Sequence, residues 1–135
     1  MLKYIDIFSG IGGFSLALQP EFKCVSFCDS DADAQAVLRS QMSAGHIPHA
    51  RIFKDVLAMS VDDIDRHKPF LVTMGFPCQD ISALTRNAKG VHGSRSKLVF
   101  HVLNLLSKSK HVRMVLHSRK LRMGQPPRRL RVIHR

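Results

Sequence analysis

Apolar residues along the chain fall into short runs that polar, charged or glycine-rich segments separate. Four of these runs are mostly apolar and bounded by turn-forming or charged residues, which is typical of buried strands. They cover residues 2–8, 23–27, 70–74 and 112–116. Apolar residues recur at helical spacing in residues 14–18, 31–42 and 98–106. The pattern therefore predicts strands that alternate with helices.

This alternation predicts an α/β fold with a parallel sheet wound in the Rossmann manner. Residues 47–53 are predicted to be irregular, and residues 62–66 to form a polar connection. From His117 onward no period is sustained and no acid occurs. We therefore expect one domain over residues 1–116 and a disordered basic tail over residues 117–135.

Charge is distributed unevenly along the chain. The net charge is +11 at pH 7, yet residues 1–80 hold 7 Lys and Arg and all 10 Asp and Glu, while residues 81–135 hold the other 14 Lys and Arg and no acid. Such asymmetry is typical of a protein that binds a polyanion. A stretch that was never selected to fold would have the same composition, and both interpretations stay open.

Cysteine usage and hydropathy restrict the compartment. Cys24, Cys28 and Cys78 are too few for a disulfide framework, and no second ligand pair at metal spacing accompanies them, so no metal site is predicted. No apolar run reaches membrane-spanning length, and Asp6 interrupts the start that a signal peptide would need. We expect a protein that is neither secreted nor membrane-bound, located in the cytoplasm, for a prokaryotic or viral protein, or in the nucleus.

A glycine-rich segment joins the first predicted strand to the first predicted helix. This glycine turn consists of Phe8, Ser9, Gly10, Ile11, Gly12 and Gly13. Glycine lets a ligand approach the backbone, and the N–H groups at the start of a helix can bind it. The spacing is neither that of a dinucleotide fingerprint nor that of a phosphate-binding loop. The segment is either a site for a nucleotide-like ligand or simply a tight turn.

Acidic residues occur where parallel sheets bind nucleotides. Asp29 follows the second predicted strand, about 20 residues after the glycine turn, where an acid hydrogen-bonds ribose hydroxyls. Asp31 and Asp33 suit the cap of the second helix. Asp55 follows the irregular segment, where the next loop would meet the same crevice, and it is a candidate partner for an adenine amino group.

Cys78 follows Pro77 shortly after the strand predicted over residues 70–74. Ligand sites in open α/β sheets lie in the crevice at the carboxyl ends of the strands. A thiol held there after a rigid proline is placed like a nucleophile. A free Cys is also commonly a small buried hydrophobic residue, so the residues alone leave both roles open.

Two motifs resemble those of the DNA (cytosine-5) methyltransferases. Residues 6–18, Asp-Ile-Phe-Ser-Gly-Ile-Gly-Gly-Phe-Ser-Leu-Ala-Leu, are similar to the first motif of the family, and residues 75–82, Gly-Phe-Pro-Cys-Gln-Asp-Ile-Ser, to its catalytic motif. Residues 54–56 resemble the segment that meets the adenine, and residues 90–100 the motif after the catalytic loop. The resemblance runs in the family's order up to residue 116. It implies an incomplete sheet of the S-adenosylmethionine-dependent methyltransferase kind.

The resemblance also implies a reaction. Cys78 would add to C6 of cytosine, so that C5 can accept the methyl group of S-adenosylmethionine. The target base would be flipped out of double-stranded DNA. The cofactor would contact the glycine turn, Asp29, Ser30, Asp55, Val56 and Pro77. A mobile loop over residues 79–97 would close on the DNA, with Gln79, Ser82, Arg86, Lys89, Ser94 and Arg95 as DNA-binding residues.

The sequence departs from the family after residue 116. The family's strand ends there in Glu-Asn-Val, whose Glu holds and protonates the cytosine, whereas this chain has His117-Ser118-Arg119 and no Glu after Glu21. Asn104 and His117 are poor substitutes by position. We expect an N-terminal portion with little turnover, its tail produced by a frameshift between about residues 107 and 117. A genuine DNA-binding tail is the alternative.

Other interpretations stay open. The chain would otherwise be a non-catalytic fragment that binds DNA or S-adenosylmethionine, or one half of a split enzyme whose other half carries the missing motifs. Cytosine methylation of tRNA is a further alternative, because one tRNA-methylating branch keeps the Pro-Cys-Gln arrangement. The expected protein partner is a restriction endonuclease or a complementary second half, and the expected state is a monomer.

Overall fold

A six-stranded sheet organises the chain in the computed structural model, which describes residues 1–76, 94–119 and 131–134. Its strands are β1 (Leu2–Ile7), β2 (Phe22–Cys28), β3 (Arg51–Phe53), β4 (Leu71–Phe76), β5 (Met114–Arg119) and β6 (Arg131–His134). The order is β3-β2-β1-β4-β5-β6, with β1 to β5 parallel and β6 antiparallel to β5. The predicted Rossmann-like parallel sheet is confirmed.

Helices connect the parallel strands. They are α1 (Gly13–Ala17), α2 (Ala32–Ser43), α3 (Val61–Asp65) and α4 (Ser94–Ser107), and Val56–Ala58 form a 3-10 turn. The Asp31 carboxylate accepts a hydrogen bond from the Asp33 N–H at 2.8 Å, so Asp31 caps α2. In the described ranges no helix has the length and apolar character that crossing a membrane requires.

Apolar residues cover both faces of the sheet. On one face, Ile5, Ile7, Val72 and Met74 of the central strands pack with Val99 and Val102 of α4 and with Ile64 of α3; on the other, Tyr4, Phe27 and Leu71 pack with Leu38 and Met42 of α2. Both faces of β1 and β4 are thus buried, as expected for central strands of a parallel sheet. Because β1, β2, β3 and β4 are parallel, their carboxyl ends lie on the same side of the sheet, here named the carboxyl edge.

Two predictions for the middle of the chain are wrong. Within the segment predicted to be irregular, Arg51–Phe53 form β3, and the polar connection contains α3. A three-residue strand is too short for a period to show, and its pairing with β2 defines it. α3 is only five residues long, and the Ser60 and Asp63 side chains stabilise it by capping each other's backbone N–H groups.

Part of the segment predicted to be a disordered tail from His117 onward is strand in the described residues. β5 continues through Arg119, beyond the predicted boundary at residue 116, and Arg131–His134 form β6. Ile133 is in register with Val115, and Val132 with Leu116. Pairing with a neighbouring strand thus orders residues whose own pattern is too short to predict a strand.

Candidate active site

The glycine turn lies at the carboxyl edge, between β1 and α1. Phe8, Gly10 and Gly12 all have positive φ angles, of 56°, 56° and 86°. The Ser9 hydroxyl donates to the Asp6 carbonyl at 2.6 Å and accepts from the Cys28 N–H at 3.2 Å, which ties the turn to β1 and β2. A left-handed conformation at a residue other than glycine is uncommon, so its occurrence at Phe8 marks a constrained backbone of the kind found at functional sites.

Asp29 is bonded directly to the glycine turn. Its carboxylate accepts hydrogen bonds from the Gly10 N–H at 2.7 Å and from the Asp31 N–H at 2.9 Å. The side chain of Gln35, which is buried in α2, donates to the Asp29 carbonyl at 2.8 Å. A carboxylate therefore occupies the N–H group that a phosphate would use in a nucleotide-binding loop. The arrangement opposes anions and leaves carboxylate lone pairs available to hydroxyl groups or cations.

Asp55 lies at the same edge of the sheet. Its carboxylate accepts from the Leu57 N–H at 2.9 Å and so caps the 3-10 turn. Burial, with a further contribution from the carboxylates of Asp29 and Asp55, raises the pKa of the Cys28 thiol to about 12. Because both acids act on one thiol, both lie close to the end of β2. The structure thus brings together the two acids that the sequence predicts for the site.

Ser30 and Val56 were predicted to contact the cofactor. Ser30 is exposed beside Asp29. The Val56 side chain is buried and belongs to the core cluster that also contains β1 and β4 residues. No group of three or more His, Cys, Asp and Glu side chains in the described ranges is arranged to hold a metal ion.

A cleft of about 700 Å³ opens beside the glycine turn. It is lined by Phe8, Ser9, Gly10, Ile11, Gly13, Phe14, Ala17, Asp31, Asp33, Ala34, Val37 and Gly75. Gly12 lies behind this lining, where an added Cβ would come within 3.1 Å of the Leu38 side chain. The charged lining residues are both Asp, and the others are mostly apolar. The cleft therefore suits a ligand that combines apolar parts with positive charge.

Sequence reasoning missed two residues that build this region. Gly75 packs closely against the backbone at the end of β1. A Cβ added there would lie only 2.9 Å from the Phe8 carbonyl oxygen. Asp6 is fully buried and its carboxylate accepts from the Thr73 hydroxyl at 2.6 Å. Burial raises the Asp6 pKa to about 7, against the lowering effect of Thr73 and with a further increase from Asp29. A lone acid inside an apolar strand was the available signal for Asp6.

The predicted nucleophile, Cys78, lies outside the described residues, as do Pro77, Gln79, Ser82, Arg86 and Lys89. β4 ends at Phe76, so it leads the chain to Pro77 from the carboxyl edge. Ser94 and Arg95 form the start of α4. His117 is in register with Met74 of β4, and its Nδ1 lies 3.3 Å from the Met74 carbonyl oxygen.

Comparison with known proteins decides the family. Residues 2–116 match the family model for C-5 cytosine-specific DNA methylases. The chain belongs to this family. Among curated members, it is 36% identical over 113 residues to the type II methyltransferase M2.BsuMI of Bacillus subtilis (strain 168). The matched residues make up 82% of this chain and 26% of that protein.

Solved structures agree with the Rossmann-like fold. A DNMT2 mutant from Spodoptera frugiperda matches with a TM-score of 0.64 at 19% identity, over 87% of this chain and 35% of that one. TrmK of M. capricolum, solved with S-adenosyl-homocysteine, matches with a TM-score of 0.55 at 11% identity, over 90% and 46%. The chain spans only 26–38% of the length of the curated relatives it matches.

Proposed function

We propose that this chain is the cofactor-binding and nucleophile-bearing portion of a DNA (cytosine-5) methyltransferase. The observation that carries the proposal is the Asp29 carboxylate on the Gly10 N–H, beside a cleft whose charged lining residues are Asp31 and Asp33. Negative charge there opposes phosphate groups and favours a sulfonium or ammonium cation. Membership of the methylase family supports the same cofactor, S-adenosylmethionine.

The described residues fit this cofactor. The glycine turn gives close backbone access, Asp29 has lone pairs available for ribose hydroxyls, and Asp55, which follows β3 beside β2, would bind the adenine amino group. S-adenosylmethionine supplies an electrophilic methyl group. The Phe8 and Phe14 side chains, with Ile11, would keep water from the apolar parts of the ligand.

Cys78 would carry the covalent step. Its thiolate would add to C6 of a flipped cytosine, forming an S–C6 bond and moving an electron pair to C5, which would attack the methyl group and release S-adenosylhomocysteine. Loss of the C5 proton and departure of the thiolate would restore the ring. Gln79, Ser82, Arg86, Lys89, Ser94 and Arg95 would contact the DNA, mainly its phosphates.

Turnover by the chain itself should be low. The step that protonates the cytosine ring needs a general acid, and no Glu follows Glu21. A frameshift in the encoding DNA would account for this, and a shifted frame that encodes Glu-Asn-Val would support it. A non-catalytic fragment or one half of a split enzyme is the second candidate, since the chain spans so little of its relatives.

Calorimetric titration with S-adenosylmethionine tests the cofactor site without requiring turnover. Asp29→Ala should weaken binding about tenfold or more, equivalent to about 1.4 kcal/mol, because it removes a charged hydrogen-bond partner and frees the glycine turn. Asp62→Ala, which changes an exposed side chain of α3, is the matched control and should bind like the wild type. Equal affinity for the two variants would contradict the assignment of Asp29.

Methyl incorporation separates the remaining alternatives. We expect little label in duplex DNA. Incorporation that is strong and disappears in Cys78→Ser would show that the chain is complete as an enzyme and that the low-turnover expectation is wrong. Label in tRNA but not in DNA would favour the tRNA alternative. We also propose that the protein acts in a prokaryotic or viral cytoplasm or in a nucleus, as a monomer with a restriction endonuclease or a complementary half as partner.

A further inference from the structure

The connections that enter the parallel strands differ in charge from those that leave them. Those that enter the parallel strands, residues 18–21, 44–50, 66–70 and 108–113, contain five Lys and Arg and one acid, Glu21. The described connections that leave these strands, residues 8–12, 29–31 and 54–60, contain three Asp and one Lys. Positive charge is therefore concentrated at the amino ends of the parallel strands. This side of the sheet, opposite the acidic cleft, is here named the amino edge.

Asp65 holds two of the amino-edge connections side by side. Its carboxylate accepts a hydrogen bond from the Lys110 N–H at 3.0 Å and another from the Ser109 hydroxyl. Its carbonyl accepts from the Lys68 N–H at 2.9 Å. The segments over residues 66–68 and 108–111 are thereby fixed against each other. The side chains of Lys68, Lys108 and Lys110 remain exposed.

The strand register extends this positive surface across the sheet. Lys3 of β1 is in register with Lys23 of β2. The Phe70 N–H donates to the Lys3 carbonyl at 2.9 Å, and the Arg113 N–H donates to the Phe70 carbonyl at 2.8 Å. Like charges opposite each other on neighbouring strands are unfavourable. A bound polyanion would relieve this repulsion.

Acids neutralise only part of this surface within the ranges that the structure describes, and the Asp65 carboxylate lies close enough to Lys110 to interact with its charge. The ion pairs found there join Asp63 to Arg51 at 3.9 Å and to Arg66 at 3.7 Å. Six exposed cations without such a pair form what we name the basic edge: Lys3, Lys23, Lys68, Lys108, Lys110 and Arg113. Hydrogen bonds connect the segments that carry these residues, so the basic edge has a more defined arrangement than unconnected surface lysines would have.

We propose that the basic edge binds the phosphate backbone of double-stranded DNA, as a second DNA contact on the side of the sheet opposite the cleft. β2, β1, β4 and β5 lie about 4.8 Å apart, so their ends spread these cations over about 14 Å. A duplex carries one phosphate charge per about 1.7 Å of its axis, so several phosphates fall within this span. Phosphate contacts carry no sequence information, so binding is independent of sequence. It is also independent of the proposed methyl transfer.

The salt dependence of DNA binding by the full chain tests this proposal. Fluorescence anisotropy of a short labelled duplex over a series of salt concentrations gives the slope of log K against log salt. Lys68→Glu and Lys110→Glu should each reduce that slope by about one, the effect of one lost phosphate contact. Arg39→Glu, on the exposed face of α2, makes the same change in net charge away from the basic edge and should keep the wild-type slope.

Each other result would overturn the proposal. An equal decrease for Arg39→Glu would show a general effect of net charge, and unchanged slopes throughout would assign DNA binding to residues elsewhere, such as the Arg-rich C-terminal segment. Loss of binding to anionic lipid vesicles, with DNA binding intact, would identify a membrane surface instead. Circular dichroism checks folding, and Lys108→Glu replaces Lys110→Glu if that variant unfolds.

Discussion

Asp6 shows how one buried side chain influences the cleft. Its carboxyl is fully buried, one oxygen accepts from Thr73, and the other has no hydrogen-bond partner among the described residues. Asp6 also carries the carbonyl that accepts from the Ser9 hydroxyl. Because burial raises its pKa to about 7, the carboxyl keeps its proton where an ordinary Asp is ionised. The neutral acid therefore adds no repulsion to Asp29 at mildly acidic pH.

Asp6→Asn should remove a pH dependence of stability. The unfolded chain loses the Asp6 proton near pH 3.8 and the folded protein near pH 7, so the stability contributed by the neutral acid is complete below pH 3.8 and is lost as the pH rises to about 7. Relative to Asp6→Asn, the wild type should lose up to several kcal/mol across this range, at about 1.4 kcal/mol per pKa unit. Urea unfolding at both ends of the range measures this. Parallel pH profiles for the two proteins would contradict it.

Gly75→Ala should destabilise the carboxyl edge. The added Cβ would lie 2.9 Å from the Phe8 carbonyl oxygen, and backbone cannot move aside as a flexible side chain can, so we expect a loss of about 1–3 kcal/mol. Gly13→Ala is the matched control for stability. No atom lies within 4 Å of its added Cβ, and it should be neutral or stabilising by about 0.5 kcal/mol. Thermal unfolding that ranks the two variants equally would rule out this close approach.

Sequence predicted where the candidate site residues lie in the sheet, but not the hydrogen bonds between them. The glycine turn, Asp29 and Asp55 lie at one edge of the sheet as expected, because the carboxyl ends of parallel strands meet there. The bond from Gly10 to Asp29 depends on how β1 and β2 align, which no local pattern encodes. Gly75 has its role only in contact with Phe8, which is distant in the chain, and the bond from Gln35 to the Asp29 carbonyl depends on the turn between β2 and α2, so sequence pattern could not predict either.

At the scale of elements, pattern predicts mainly the longer ones. β1, β2, β4, β5, α2 and α4 were predicted because each has enough residues for a period to show, and the five-residue α1 was predicted from apolar residues at helical spacing over residues 14–18. β3, α3 and β6 have three, five and four residues, and pairing or capping defines them instead. The capping pair Ser60 and Asp63 was the one readable signal for α3.

Asp65→Ala should loosen α3 from the turn before β5. The substitution removes the acceptor of the Ser109 hydroxyl and of the Lys110 N–H, so we expect a loss of about 1–3 kcal/mol. Asp62→Ala, on the same short helix, removes an exposed carboxylate with no described side-chain bond and should change stability by about 0.5 kcal/mol or less. Chemical denaturation compares them. Hydrogen exchange at the Lys110 amide should accelerate in Asp65→Ala only, and unchanged exchange there would refute the clamp.

At the scale of the whole molecule, β6 closes one side of the sheet. Deleting residues 131–135 should leave β5 as an unpaired edge, since β6 pairs with Met114–His117. We expect a lower melting temperature and faster hydrogen exchange at those residues. Deleting residue 135 alone is the control and should change neither. Exchange at β5 that does not respond to the longer deletion would restore the expectation of a disordered C-terminal segment.

Among the described connections, negative charge lies at the carboxyl edge and positive charge at the amino edge, so this part of the molecule has a dipole moment directed across the sheet. A duplex that approaches it exerts a torque, which turns the basic edge toward the phosphates and the cleft away from them. Salt shortens the range of this torque. Moderate ionic strength should therefore slow the total rate of encounters with DNA while raising the fraction in which the cleft faces the duplex.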